Sequence, residues 1–157
     1  LIEATPSSLF AGDKVTLSPG LLATMRESGA SRLLLVTRHR QEAHLRADNV
    51  ELGNGRLEGV GFYIDYSTPM RNTRTNELVD GFLAAYVNLR LSLVDLEQGA
   101  VLAQFAVSNS EMALASYAST KTDPWTVLNP VQKIEALEFL VDREIKRALD
   151  QVLAKAG

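Results

Sequence analysis

Between residues 38 and 46 the chain reads Arg-His-Arg-Gln-Glu-Ala-His-Leu-Arg, which places three guanidinium groups and two imidazoles within nine positions. Arg38, Arg40 and Arg46, with His39 and His44 between them, could hold a phosphate, a carboxylate or an acidic partner, because guanidinium groups present paired donors to oxyanions. The same composition also describes the solvated end of a strand, and no glycine-rich loop accompanies it to cradle a phosphate. His39, Glu42 and His44 add donors of the kind zinc accepts. Their spacing argues against a metal site, since residues 39 and 44 of an extended chain point to opposite sides.

Other reactive patterns are missing from the sequence. There is no cysteine, so disulfides, thiolate metal sites and cysteine nucleophiles are excluded for these residues. No G-x-S-x-G elbow, S-x-x-K pair, G-x-G-x-x-G turn or P-loop occurs. Asp65, Asp80 and Asp95 each fall at a predicted strand end, where aspartate ordinarily closes turns. Arg90 is the charged residue in the middle of a long strand pattern, and it is expected to lay its stem on the sheet with its head at water or a carboxylate. Trp125, after Asp123-Pro124, is expected to cap one end of the core. No catalytic residue, metal or cofactor is expected, and the binding candidates are Arg38, His39, Arg40, His44 and Arg46.

The elements that would position these residues are organised around Phe82–Ser108. Leu83, Ala85, Val87, Leu89, Leu91 and Leu93 alternate with Asn88, Arg90 and Ser92, the period of a strand with one apolar face. After Asp95-Leu96-Glu97-Gln98-Gly99 the alternation resumes with Val101, Ala103, Phe105 and Val107. A turn in which Gly99 takes positive φ would close a hairpin whose odd-numbered residues share a face. Upstream, Ser18-Pro19 reads as a helix cap and first residue, with the helix running to about Ser28 and stopping at Gly29. The run Leu33–Val36 is apolar at consecutive positions and reads as an interior strand covered on both faces. A less regular strand is expected at 43–52, and Gly53-Asn54-Gly55 marks a turn. The strand from Leu57 to Tyr66 sets Gly59 and Gly61 on a closely approached face. Ser67–Glu77 reads as a mobile loop, 109–123 is ambiguous between strand and helix, and residues 1–16 suggest a short extended segment with a turn. Asn129-Pro130 opens a helix to about Ala154, roughly 35 Å long at 1.5 Å per residue. Its apolar stripe is Val131, Ile134, Leu137, Val141, Ile145, Leu149 and Val152.

With 157 residues the chain suits a single domain spanning 1–157, and its 46% hydrophobic and 22% charged residues are those of a packed globular protein. A net charge of −3 supplies no global attraction for nucleic acid or an anionic membrane. The sequence opens on Leu1 instead of a methionine, which fits processing or further residues upstream, where a signal peptide or a lipid-modified cysteine would lie.

Val87–Leu102, VNLRLSLVDLEQGAVL, resembles the strand, Asp, turn, Gly, strand segment of the curli-secretion lipoprotein family and of the related amino-terminal domain of TolB. Gly29-Ala30-Ser31 ahead of Leu33–Val36 is similar to that family's Gly-Ala-Asp and apolar strand following a helix, and a long closing helix follows the hairpin in both. The resemblance implies a bacterial envelope protein, periplasmic or associated with the outer membrane, that acts in assembly and partner binding without catalytic residues; it supplies no site residues. The expected fold is α/β of the α+β kind: a mixed, mostly antiparallel sheet of about five strands, built on the long hairpin and packed on at least two helices. The expected partner is another protein or a second copy, with no nucleic acid and with membrane contact only through an upstream lipid anchor. A small-ligand or anion-binding module using residues 38–46 is the alternative, and a metal-dependent or serine hydrolase the third.

Overall fold

A computed structural model describes residues 9–47, 50–71, 76–113 and 123–156. The chain is α+β, and every strand pairing described is antiparallel. In order, the strands are β1 (Phe10–Ala11), β2 (Lys14–Val15), β3 (Arg32–Arg38), β4 (Arg40–Glu42), β5 (Leu45–Ala47), β6 (Val50–Leu52), β7 (Arg56–Arg71), β8 (Leu78–Asp95) and β9 (Val101–Ala113). Helix α1 (Pro19–Glu27) precedes β3, and a 3-10 turn (Pro124–Val127) leads into α2 (Pro130–Ala156).

The hairpin β8–β9 carries the central strand of the five-stranded main sheet, β8, which pairs with β3, β7 and β9. Its turn forms as the sequence demands: the Asp95 carboxylate accepts the N–H groups of Glu97 and Gln98, and Gly99 sits at φ +65°. Leu91 faces Phe105 and Leu93 faces Ala103 on one side of the sheet. An irregularity at Leu93/Val94 then pairs Val94 with Val101, so the odd-numbered face ends at Ala103. Helix α2 covers that face, with Leu140, Ala148 and Val152 buried against Val87, Leu89, Leu91 and Val107. Its start is fixed by reciprocal bonds: Gln132 N–H donates to the Asn129 side chain, and Asn129 N–H to the Gln132 side chain.

Two strands share the other edge of β8 in succession. β7 pairs with residues 78–88, and β3 takes over at 89–95. The changeover is made at His39, whose N–H still donates to the carbonyl of Asn88 before β4 leaves β8 to pair with the start of β7. From there the chain passes to the β9 side, where the β5–β6 hairpin sets Leu45 over Phe82 and Ala84 on the sheet's second face. β8 is consequently buried on both faces over most of its length.

Several expectations need correction. The apolar run of β3 forms an edge strand and not an interior one: it pairs with β8 alone, and Val36 is 42% exposed. Periodicity reports which faces are apolar but not how many neighbours a strand has. The 43–52 segment is two short strands, β5 and β6, instead of one. The expected loop at Ser67–Glu77 is strand as far as Arg71, where β7 ends; Asn76 and Glu77 lie outside any strand, and 72–75 lie outside the described residues. Asp65 makes this possible: its carboxylate accepts the N–H groups of Ser67 and Thr68, absorbing the extra residues before pairing resumes at Pro69–Asp80. The α2 stripe holds from Leu137 onward, where Leu137, Val141 and Ile145 pack on the core and Val152 is buried, but its first two members, Val131 and Ile134, are exposed, and Leu140 and Ala148 are buried beside it. The region 109–123 resolves into strand as far as Ala113, and its remaining stretch at 114–122, like residues 1–8, lies outside the described residues.

The glycine face of β7 is approached as expected. A methyl group at Gly61 would stand 3.1 Å from the Tyr86 hydroxyl, and one at Gly59 3.2 Å from the Arg38 stem. Trp125 meets Phe62 edge-on at 5.8 Å, with the Lys133 ammonium 3.5 Å over its ring, so it covers the end of the core while staying partly exposed.

Candidate functional site

The β3–β4 junction scatters the basic segment instead of collecting it. Arg38 Nε lies 3.8 Å from a Glu58 carboxylate oxygen, and Arg40 stands opposite Glu58 in the β4–β7 ladder. His39, next in the chain, is on a different side: its Nδ1 is 3.2 Å from a guanidinium nitrogen of Arg90. His44 has moved to the β9 side, with Nδ1 3.5 Å from Glu51. Arg46 is placed by its backbone, opposite Glu51 in the β5–β6 hairpin. The five candidates thus occupy three places, and two of those places carry a carboxylate that offsets the cations.

The His39–Arg90 contact has an electrostatic consequence. Burial, and then the neighbouring guanidinium, hold the His39 imidazole below its ordinary value of 6.5. The unfolded chain therefore takes up this proton first as pH falls through about 6.5, and stability declines from there until the folded imidazole also titrates. Arg90→Leu is expected to move the His39 titration upward in a proton NMR pH series and to shrink the acid-side loss of stability. An unmoved titration would refute the assignment.

An open cleft of about 480 Å³ lies at the outer edge of β9, between Gln41 and His44 on one side and Arg147 on the other, with Ser108, Asn109 and Ser110 as its floor. Its lining is polar throughout. His44 and Glu51 form the base–acid half of a nucleophilic relay, and serines stand nearby. The geometry does not complete one: the pair is more than half exposed, and the Ser108 hydroxyl accepts a hydrogen bond from Gln41. Among the described residues no group of three His, Asp or Glu is placed to hold a metal ion, and no helix is long and apolar enough to cross a membrane.

Beneath the cleft is a residue that sequence reasoning missed. Glu144 sits in the packed face of α2 at 4% exposure. Its carboxylate accepts from Asn109 Nδ2 at 2.7 Å and Arg143 Nε at 3.0 Å, and Arg143 also bridges to Glu111. Leu140, Glu144, Ala148 and Val152 form one row at four-residue spacing, so the signal was a single acid within a buried row. Glu144→Gln keeps the Asn109 bond but weakens the guanidinium contact, and a loss of about 1–2 kcal/mol in urea denaturation is expected. No loss at all would mean that the charge is solvated.

Comparisons with protein-family models, with characterised proteins and with solved structures found no match to the chain.

Proposed function

We propose that this chain is a non-catalytic binding domain of the bacterial envelope, periplasmic or held at a membrane by a lipid anchor carried outside the described residues, and that it works by assembling with a protein partner. The observation that carries the reading is the state of the main sheet. Its outermost strands β3 and β9 have outer edges that no described strand pairs, while the ionisable groups nearest to chemistry are held in structural pairs such as Arg38–Glu58, His44–Glu51 and Arg143–Glu144. Open strand edges are where a second chain adds most readily. The resemblance of Val87–Leu102 to the curli-secretion lipoprotein family supports the envelope setting.

The experiment is to fractionate cells of the native host and determine the mass and amino terminus of the mature protein. A cleaved leader, or an acylated cysteine upstream of Leu1, together with recovery from the periplasm or a membrane fraction, is the expected result. An unprocessed protein in the cytoplasm would overturn the envelope reading.

A further inference from the structure

The outer edge of β3 is built differently from that of β9. Leu33, Leu34, Leu35 and Val36 put apolar side chains on both faces of the strand, the pattern of a strand with neighbours on each side. Only one neighbour is present: β3 pairs with β8 along its whole length, Leu33, Leu34 and Leu35 are half-buried, and Val36 is 42% exposed. Edge strands are ordinarily blunted by an inward charge, a proline or a bulge, and β3 has none of these between Arg32 and Arg38. Its charges stand at the two ends. Arg32 precedes the apolar run and faces Asp95 across the β3–β8 ladder; Arg38 and Arg40 follow it and share the single carboxylate of Glu58, and no ion pair is described for Arg32 or Arg40.

We infer that β3 is the docking edge for an extended segment of a partner protein, apolar in its middle and acidic at both ends, which adds as a further strand of the main sheet. The backbone groups of the added strand bond to the free edge, its apolar side chains lie beside Leu34 and Val36 on the helix face and beside Leu33 and Leu35 on the other, and its carboxylates meet the arginines. Charge selects this occupant over a second copy of the chain. Two copies of β3 paired antiparallel about Leu35 would set Arg32 of each against Arg38 of the other, two like-charge pairs directly opposed. The inference rests on the partner-binding half of the proposed function and is independent of its envelope half.

The test uses the whole chain and two synthetic nine-residue probes, alternating valine and threonine in the middle, one with two glutamates at each end and the other with two lysines. The glutamate-flanked probe is expected to slow hydrogen exchange at the outward amides of residues 32–38 and to bind at least tenfold more tightly than the lysine-flanked one. The double variant Arg32→Gln/Arg40→Gln, which breaks no described ion pair and sets no like charges opposite Asp95 or Glu58, should abolish that preference while keeping the melting transition of the parent. Unchanged exchange in β3 overturns the inference. Equal protection by both probes overturns it too, by showing apolar adhesion without charge selection. Protection of the same amides that rises with protein concentration alone, matched by dimer in sedimentation, would assign the edge to a second copy. None of these outcomes bears on where the protein resides, so failure here and failure of the envelope reading are separable.

Discussion

Gly81→Ala is expected to destabilise the domain by about 2–6 kcal/mol, adding a strained backbone conformation to an overpacked contact. Gly81 has φ +81°, a region that side chains with a Cβ rarely adopt. A methyl group there would come within 2.3 Å of the Asp65 carbonyl oxygen and 2.9 Å of Pro124 Cγ. Neither neighbour yields easily. The carbonyl belongs to the residue whose carboxylate organises the Ser67–Thr68 irregularity of β7, and Pro124 is buried in the turn that leads into α2. Soluble yield and the urea midpoint are the measurements, with Gly20→Ala as the control, since a methyl group at Gly20 meets nothing within 4 Å. If Gly81→Ala melted with the parent, the close packing of β7, β8 and the 3-10 turn would be wrong.

Leu91→Ala carries the next largest effect, about 2–5 kcal/mol for emptying a buried leucine site. Leu91 is fully buried, pairs with Phe105 on β9 and Val36 on β3, and belongs to the cluster that α2 covers. The loss should appear as a lower denaturation midpoint with an unchanged slope. Val60→Ala, on the same face but 41% exposed, should cost less than about 1 kcal/mol. Equal losses at the two positions would contradict the placement of the core under α2.

Local chemistry made much of this architecture legible. Ser18 does cap α1 and Gly29 does follow it at φ +76°, because capping and positive φ are decided within a few residues. The Asp95–Gly99 turn and the glycine face of β7 were readable for the same reason. The number of neighbours was not. Leu33–Val36 has the composition of an interior strand, and nothing in the run itself says that one side stays open. Ser67–Arg71 looked like a loop because its residues are polar, yet an aspartate two and three residues upstream organises it as strand. On α2, an apolar stripe traced from Val131 starts on the exposed side at Val131 and Ile134 and reaches the buried row of Leu140, Ala148 and Val152 only at its far end. Tracing hydrophobes also skips Glu144, whose position at the packed face shows only when polar residues are counted in the same phase.

The binding candidates show the same division. Their chemistry was plain from residue type, but their separation follows from the chain leaving β8 at His39, which depends on pairings with residues 49 or more positions away. A close sequence cluster became three separate places.

The changeover on β8 also sets an order of assembly. The β8–β9 ladder closes through a tight turn, whereas the Thr37–Arg90 pairing of β3 closes a loop of 53 residues. Short loops lose less chain entropy and form first. The hairpin therefore exists before β3 arrives, and residues 89–95 of β8 spend that interval as an uncovered apolar strand edge. During synthesis the exposure is shortened by chain order, because β3 has already left the ribosome when β8 emerges and can dock at once. Refolding of the detached chain from denaturant lacks that advantage, and aggregation through the 89–95 segment is the competing fate that rises with protein concentration.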